Sequence, residues 1–413
     1  MFPILFRLTG AKLDFLLEII FIALFPIALF ATKDWLVNSN IAKVILFFLV
    51  LFLLLALVSS AVGRGSALPF LYQITTNLKV FMILAFGFFI AWSNRTERYF
   101  WKCLSWLWLP LCILVLLQWF MPGQYASIFR YGDPGGSTHF LGLPSKALGI
   151  FHNTSILAMF AGLFFLFCIA KARILKESKY YVISLAYLFL LIASGERQEI
   201  AAVIVTLGLI LGLSSRHKPY LKAFAISTIC TSLFATTYFV IAEDNILNTA
   251  DRWGMSEYQS IKQPRAVMYE VSFEIANQNF PFGSGLGTFA SAGAGKFDLS
   301  YYFELGFTSF NWFLKKNVLF DTYWPKFIAE TGWIGFGAFL MIYIFLLLYT
   351  IRITIAEHNS ELKLLKMMAF AGIATIFLSS PTSPALDDPT LTFFAMIFLG
   401  IAYNKSRLLK KDS

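Results

Sequence analysis

The chain is built from apolar runs, most of them about 15 to 26 residues long, separated by short loops rich in lysine and arginine. The runs fall near 14–32, 42–62, 70–92, 103–120, 150–170, 180–194, 199–214, 221–241, 325–350, 366–381 and 390–404. They predict an all-α fold: a polytopic transmembrane helical bundle of about eleven spans, bounded at ten and twelve. Of 413 residues, 58% are hydrophobic and only 14% charged, and mean hydropathy is +0.70, outside the range of ordinary soluble domains. The net charge of +10 raises nucleic acid as a partner, but the basic residues sit mostly in short inter-span loops. Positive-inside topology accounts for them, and no nucleic acid is expected. Cys103, Cys112, Cys168 and Cys230 lie in or beside apolar runs and read as packing residues, not as a disulfide framework or a metal site. Asp14 and Glu18 open the first run, which is long enough to be retained rather than cleaved as a signal.

The basic tail, Lys405, Arg407, Lys410 and Lys411, belongs on the cytoplasmic side. Counting back from it puts 351–365, 215–220, 171–179 and 93–102 inside, and 121–149, 194–199, 242–324 and 382–389 outside. The same count leaves the N-terminus outside, despite Arg7 and Lys12.

One turn differs from the rest. Ser194-Gly-Glu-Arg-Gln-Glu199 is a charged hexapeptide between two short runs, Tyr180 to Ala193 and Ile200 to Leu213. Each run would be roughly 21 Å long as a helix, against a hydrocarbon slab about 30 Å thick. Lys171, Arg173, Lys176 and Lys179 precede the pair; Arg216, Lys218 and Lys222 follow it. Arg197 is therefore expected at or slightly below the outer surface, where a guanidinium is costly unless something anionic meets it.

The predicted organisation is one integral membrane domain, 1–413, with a single large external insertion at 242–324. Trp253, Tyr258, Tyr269, Phe273, Phe280, Trp312 and Phe313 make the insertion too aromatic for a disordered linker. It reads either as a cap on the membrane surface or as a lid over a site. Within it, Pro264-Arg265 opens a helical stretch ending near 277–279. A helix N-terminus attracts anions, so Arg265 reads as a phosphate ligand, or else as a solvated partner of Asp251 or Glu270. Pro281-Phe-Gly-Ser-Gly-Leu-Gly287 allows tight turning and close backbone approach; no βαβ pattern surrounds it, which excludes a dinucleotide fold. Asp321 stands at the outer entrance of the span that follows. Glu330 lies further in, as a functional intramembrane carboxylate or as an i,i+4 partner of Lys326. The loop at 121–149 carries Arg130 and Lys146 and leads into Gly149-Ile-Phe-His-Asn153, where His152 is a proton carrier or an interfacial anchor. Asp387-Asp388-Pro389 reads as a solvated acidic turn. No metal-ligand spacing is present.

Between about 120 and 345, the order of these parts resembles the O-antigen ligase/polymerase superfamily of bacterial envelope glycan enzymes, the Wzy and lipid A-core ligase relatives. The resemblance rests on Gly149-Ile-Phe-His-Asn153, on Ser-Gly-Glu-Arg197, on Arg265 followed by Pro281-Phe-Gly-Ser-Gly-Leu-Gly287, and on Glu330-Thr-Gly332 with Trp-Ile-Gly335. Ligases place a histidine–asparagine pair where this chain has Asp321-Thr322, so the polymerase branch is the nearer likeness. It implies a cofactor-free, metal-independent, inverting glycosyltransferase of lipopolysaccharide or capsule biosynthesis in the bacterial inner membrane, with its active site facing the periplasm. The implied donor is an oligosaccharide on undecaprenyl pyrophosphate, and the acceptor is the non-reducing-end sugar hydroxyl of another lipid-linked unit. Implied partners are membrane lipids, a chain-length regulator and a flippase. Residue chemistry agrees: Arg197 and Arg265 suit the pyrophosphate, with Asp321 and Glu196, then His152, as general bases. Glu330, Arg130 and Lys146 are further candidates.

Within the enzyme reading, ligation of finished polymer to lipid A-core and glycan transfer to protein both remain open. Two rival classes stand beside it, and the first, a purely structural or receptor role, would leave Arg197 unexplained. A lipid-glycan transporter or flippase would usually show repeated halves and charges near the midplane, whereas here the charges gather on one side and one long insertion breaks any symmetry.

Overall fold

The structure, a computed structural model, describes residues 32–129, 145–151, 153–215, 264–314 and 322–411, together with Pro26, Phe30, Lys222, Ile226 and Ser227. Every regular element among these residues is helical. The membrane-length helices are α1 (Asn40–Val62), α2 (Ala67–Gly87) and α3 (Asn94–Phe120); a short α4 (Pro122–Phe129) follows. Then come α5 (Thr154–Ile174), α6 (Lys179–Ala193) and α7 (Arg197–Leu213). The insertion contributes α8 (Pro264–Gln278), α9 (Ala292–Phe297), α10 (Ser300–Glu304) and α11 (Asn311–Leu314). The chain closes with α12 (Trp324–Ile355), α13 (Ser360–Ser379) and α14 (Pro389–Lys411).

Side-chain caps set several helix starts. Ser39, Ser93, Asn153 and Asn359 accept from the backbone N–H groups of Ala42, Thr96, Ser155 and Leu362, opening α1, α3, α5 and α13. Helices α5 and α13 form the centre: their most apolar windows are 83% and 78% buried, against 22% in α1 and in α3. α13 packs on α5, α7, α12 and α14; α12 carries α1, α14 carries α2, and α5 carries α6, which in turn carries α3. The peripheral helices turn large apolar side chains outward, among them Phe47, Leu54, Trp106, Ile113, Phe120, Val182 and Leu185. An apolar exterior around a buried centre is the pattern of a bundle solvated by lipid. Six described helices (α1, α2, α3, α5, α12 and α13) are long and apolar enough to cross a membrane.

Helix ends gather on two opposite faces. On one, here the tail face, Asp34 pairs with Arg407, and Lys405 pairs with Glu97 (3.3 Å) and Glu361 (3.2 Å). The other, the loop face, brings the α1–α2 turn, segment 145–151, the α6–α7 turn, the insertion and the α13–α14 turn together. The described turns that share each face are those that loop charge assigns to the same side. The runs expected at 14–32 and 221–241 fall largely outside the described residues, as does the N-terminus.

Three boundaries differ from expectation. Residues 94–102, read as a loop, are the first turns of α3, because Ser93 caps there and Glu97 favours the first turn. α14 carries the basic tail as helix to Lys411. α12 is broken at Gly332 (φ 64°, ψ −177°), so a short entry helix precedes the long span. Of the cysteines, Cys168 is buried as expected, but Cys103 is exposed on the outside of α3, where a single apolar run cannot tell the inward face from the lipid-facing one.

Candidate functional site

The loop face is held together by polar side chains that the apolar bundle would otherwise leave unsatisfied. Segment 145–149 is bolted to the end of α3 and to α4. Gln118 donates to the Lys146 carbonyl (3.0 Å) and accepts from the Leu148 N–H (2.8 Å). Trp119 donates to the Ser145 carbonyl at 2.9 Å, and Tyr125 to the Gly149 carbonyl at 2.5 Å. On its other side the Ala147 N–H donates to the Ala193 carbonyl at the end of α6 (2.9 Å).

This lays Lys146 across the α6–α7 turn. Its Nζ lies 2.9 Å from Glu196 Oε1, which also accepts from the Thr154 hydroxyl at the start of α5. Gly195 (φ +66°) makes the crossing possible, since a Cβ there would stand 2.9 Å from Lys146 Cγ. Glu196 occupies the N-cap position of α7 without capping it. Its carboxylate is turned to Lys146 and Thr154, and Arg197 is the first residue of the helix.

The insertion reaches the same corner. α8 begins at Pro264, as its sequence predicts, and Arg265 donates from a guanidinium nitrogen to Gln198 Oε1 (3.1 Å). Gln198 in turn donates to Glu199 Oε1 (3.2 Å). Glu199 is fully buried, with the Ser383 side chain from the α13–α14 turn beside it. Tyr269, one turn after Arg265, donates to the Pro381 carbonyl (2.7 Å), docking α8 on the α13–α14 turn. The N-termini of α7 and α8 therefore meet through Gln198 and Arg265, next to the Lys146–Glu196 pair and the buried Glu199, with Arg197 as the first residue of α7. Such an arrangement can hold an anionic oxygen cluster between guanidinium forks and backbone dipoles.

A second polar group locks the glycine loop. Residues 281–287 thread between the α1–α2 turn and the break in α12. The Ser284 and Gly285 N–H groups donate to the carbonyls of Ala329 (2.9 Å) and Glu330 (3.0 Å), and the Arg64 N–H to the Ser284 carbonyl (2.7 Å). The gap is so narrow that a Cβ on Gly332 would lie 2.3 Å from the Pro281 carbonyl oxygen, and one on Gly283 would lie 2.5 Å from the Gly332 nitrogen. Close approach, expected from the glycine spacing, is what these residues provide. The fully buried Glu330 accepts from the Phe289 N–H (3.0 Å), pinning the end of that loop.

Lys326 is not Glu330's dedicated partner. Its ammonium, 1% exposed, pairs with Asp387 and lies 4.2 Å from the Tyr323 ring centroid. Asp387, expected as a solvated turn residue, is instead the counter-ion of a buried lysine. The i,i+4 spacing that suggested Lys326–Glu330 loses because the α13–α14 turn folds back over the entry helix.

Of the residues singled out from sequence, Lys146, Glu196, Arg197 and Arg265 meet at one corner, and Glu330 lies in the neighbouring loop lock. Arg130, His152 and Asp321 fall outside the described residues. Asn153, beside His152, caps α5. Sequence reasoning passed over Gln198, Glu199, Thr154 and Ser383. The first two were legible as the polar end of the charged hexapeptide; nothing local marks Thr154 or Ser383. No known family model matches the chain, and neither does any characterised protein.

Proposed function

We propose that the chain is a polymerase of surface-polysaccharide repeat units in the bacterial cytoplasmic membrane, with its loop face outward. The observation that carries this reading is the hydrogen bond from Arg265 to Gln198. It joins the insertion to the α6–α7 turn and sets Arg265 against Gln198, the residue that follows Arg197 in the first turn of α7. A glycosyl pyrophosphate breaking at its anomeric C–O bond leaves charge on the diphosphate, and two guanidinium groups on a preorganised anion site stabilise that charge as it develops.

In this reading undecaprenyl pyrophosphate leaves with the bonding pair. The acceptor sugar hydroxyl attacks the anomeric carbon from the opposite side, inverting it, and its proton passes to a carboxylate. Asp321 is the first choice for that base and Glu196 the second, with His152 behind them. Lys146 and Thr154 hold Glu196 in place.

The test is a gel of lipid-linked and core-linked glycans from cells lacking the gene. A single repeat unit on the core marks a lost polymerase and supports the proposal. Long polymer accumulating off the core marks a lost ligase, and retention of units in the cytoplasmic leaflet marks a lost flippase; either result overturns it.

A further inference from the structure

The tail face carries a groove of about 930 Å³ between α3 and α6, remote from the corner described above. Its floor is Lys171, whose ammonium sits 4.2 Å from the Trp101 ring centroid and 4.5 Å from that of Tyr180. One wall runs from Arg98 and Lys102 to Trp106 and Trp108, with Ile183 opposite. From Arg98 to Trp108 the wall is about 15 Å long, more than a head-group layer of roughly 5–7 Å. The groove therefore starts at the depth of head groups and continues into hydrocarbon.

Its charges are unevenly satisfied. Among the lining carboxylates, Glu97 and Glu361 are held by Lys405, and Glu177 bridges Lys171 (3.5 Å) and Lys179 (3.2 Å). Arg98 donates from Nε to the Asn94 carbonyl (3.3 Å). Among the described residues neither Arg98 nor Lys102 has a carboxylate partner. The two lie one turn apart on α3, and α6 begins at the groove, so its N-terminal backbone dipoles add to the positive potential.

We propose that this groove binds an anionic phospholipid, with the phosphate between Arg98 and Lys102 and the glycerol and first methylenes against Trp106, Trp108 and Ile183. Basic pockets between helices at a membrane surface suit phosphate head groups, and indole rings suit the head-group boundary. A free phosphate would use only the polar end; the length and apolar wall call for a ligand with tails. The site is independent of the glycan chemistry proposed above.

The experiment uses the full chain, purified in neutral detergent, and reads thermal midpoints with added phosphatidylglycerol, phosphatidylcholine of the same acyl chains, or inorganic phosphate. Phosphatidylglycerol should raise the midpoint by several degrees, with little effect from the other two. Arg98→Gln/Lys102→Gln, both on exposed positions, should lose more than half of that rise, while the equal-charge control Lys33→Gln/Lys43→Gln should keep it. The proposal is overturned by equal shifts with both lipids, by a full rise in the groove variant, by an equal loss in the control, or by inorganic phosphate reproducing the effect.

Discussion

Among the described residues, Lys326 sits in an environment far from what its type prefers. A lysine ammonium at 1% exposure persists because Asp387 meets it and two aromatic rings, Tyr323 and Phe327, flank it. Removing one partner leaves the other charge poorly compensated, whereas removing both leaves a packable space. Lys326→Met should therefore destabilise the protein by about 3 kcal/mol, and Lys326→Met/Asp387→Leu should recover most of that loss. Thermal unfolding of the two single variants and the double, in one detergent, checks this. Additive losses would show that the pair is not coupled. Neither residue advertises this pairing: 61 positions separate them, and each has a nearer charged neighbour in sequence.

At the scale of the element, the break in α12 turns a membrane helix into the frame of a loop. Gly332 adopts a backbone conformation essentially closed to other residues, and the Pro281 carbonyl occupies the space a side chain would need. Gly337, five residues on, lies in regular helix, and a Cβ added there would meet nothing within 4 Å. Gly332→Ala should cost at least about 1–3 kcal/mol, and Gly337→Ala should be neutral or stabilising by up to about 1 kcal/mol. Melting curves that rank the two in the opposite order would remove the loop lock from the account. Apolar runs disclosed most of the spans, since burial in lipid needs only length and composition. They did not disclose the break, because Glu330-Thr-Gly332 looks like one more helical turn until the loop at 281–287 presses on it. The start of α8 was legible because proline fixes the first turn locally. Its docking on the α13–α14 turn, a contact across 112 positions, was not.

For the whole molecule, the helix ends divide into two faces whose sidedness can be read chemically. Single cysteines introduced on a background lacking the native ones, Glu304→Cys and Thr382→Cys on the loop face and His358→Cys on the tail face, should divide in an impermeant-thiol assay on intact cells. The first two should label after outer-membrane permeabilisation and the third only after lysis; the reverse pattern would invert the topology. The central claim is that Arg197 and Arg265, brought together at the mouth of the bundle, grip a polyprenyl diphosphate. Binding of undecaprenyl pyrophosphate to the purified full chain in nanodiscs tests it most directly. Arg197→Lys/Arg265→Lys should weaken binding by roughly tenfold or more, because an ammonium cannot reproduce the bidentate fork. Unchanged affinity in that variant, at unchanged thermal stability, would contradict the account.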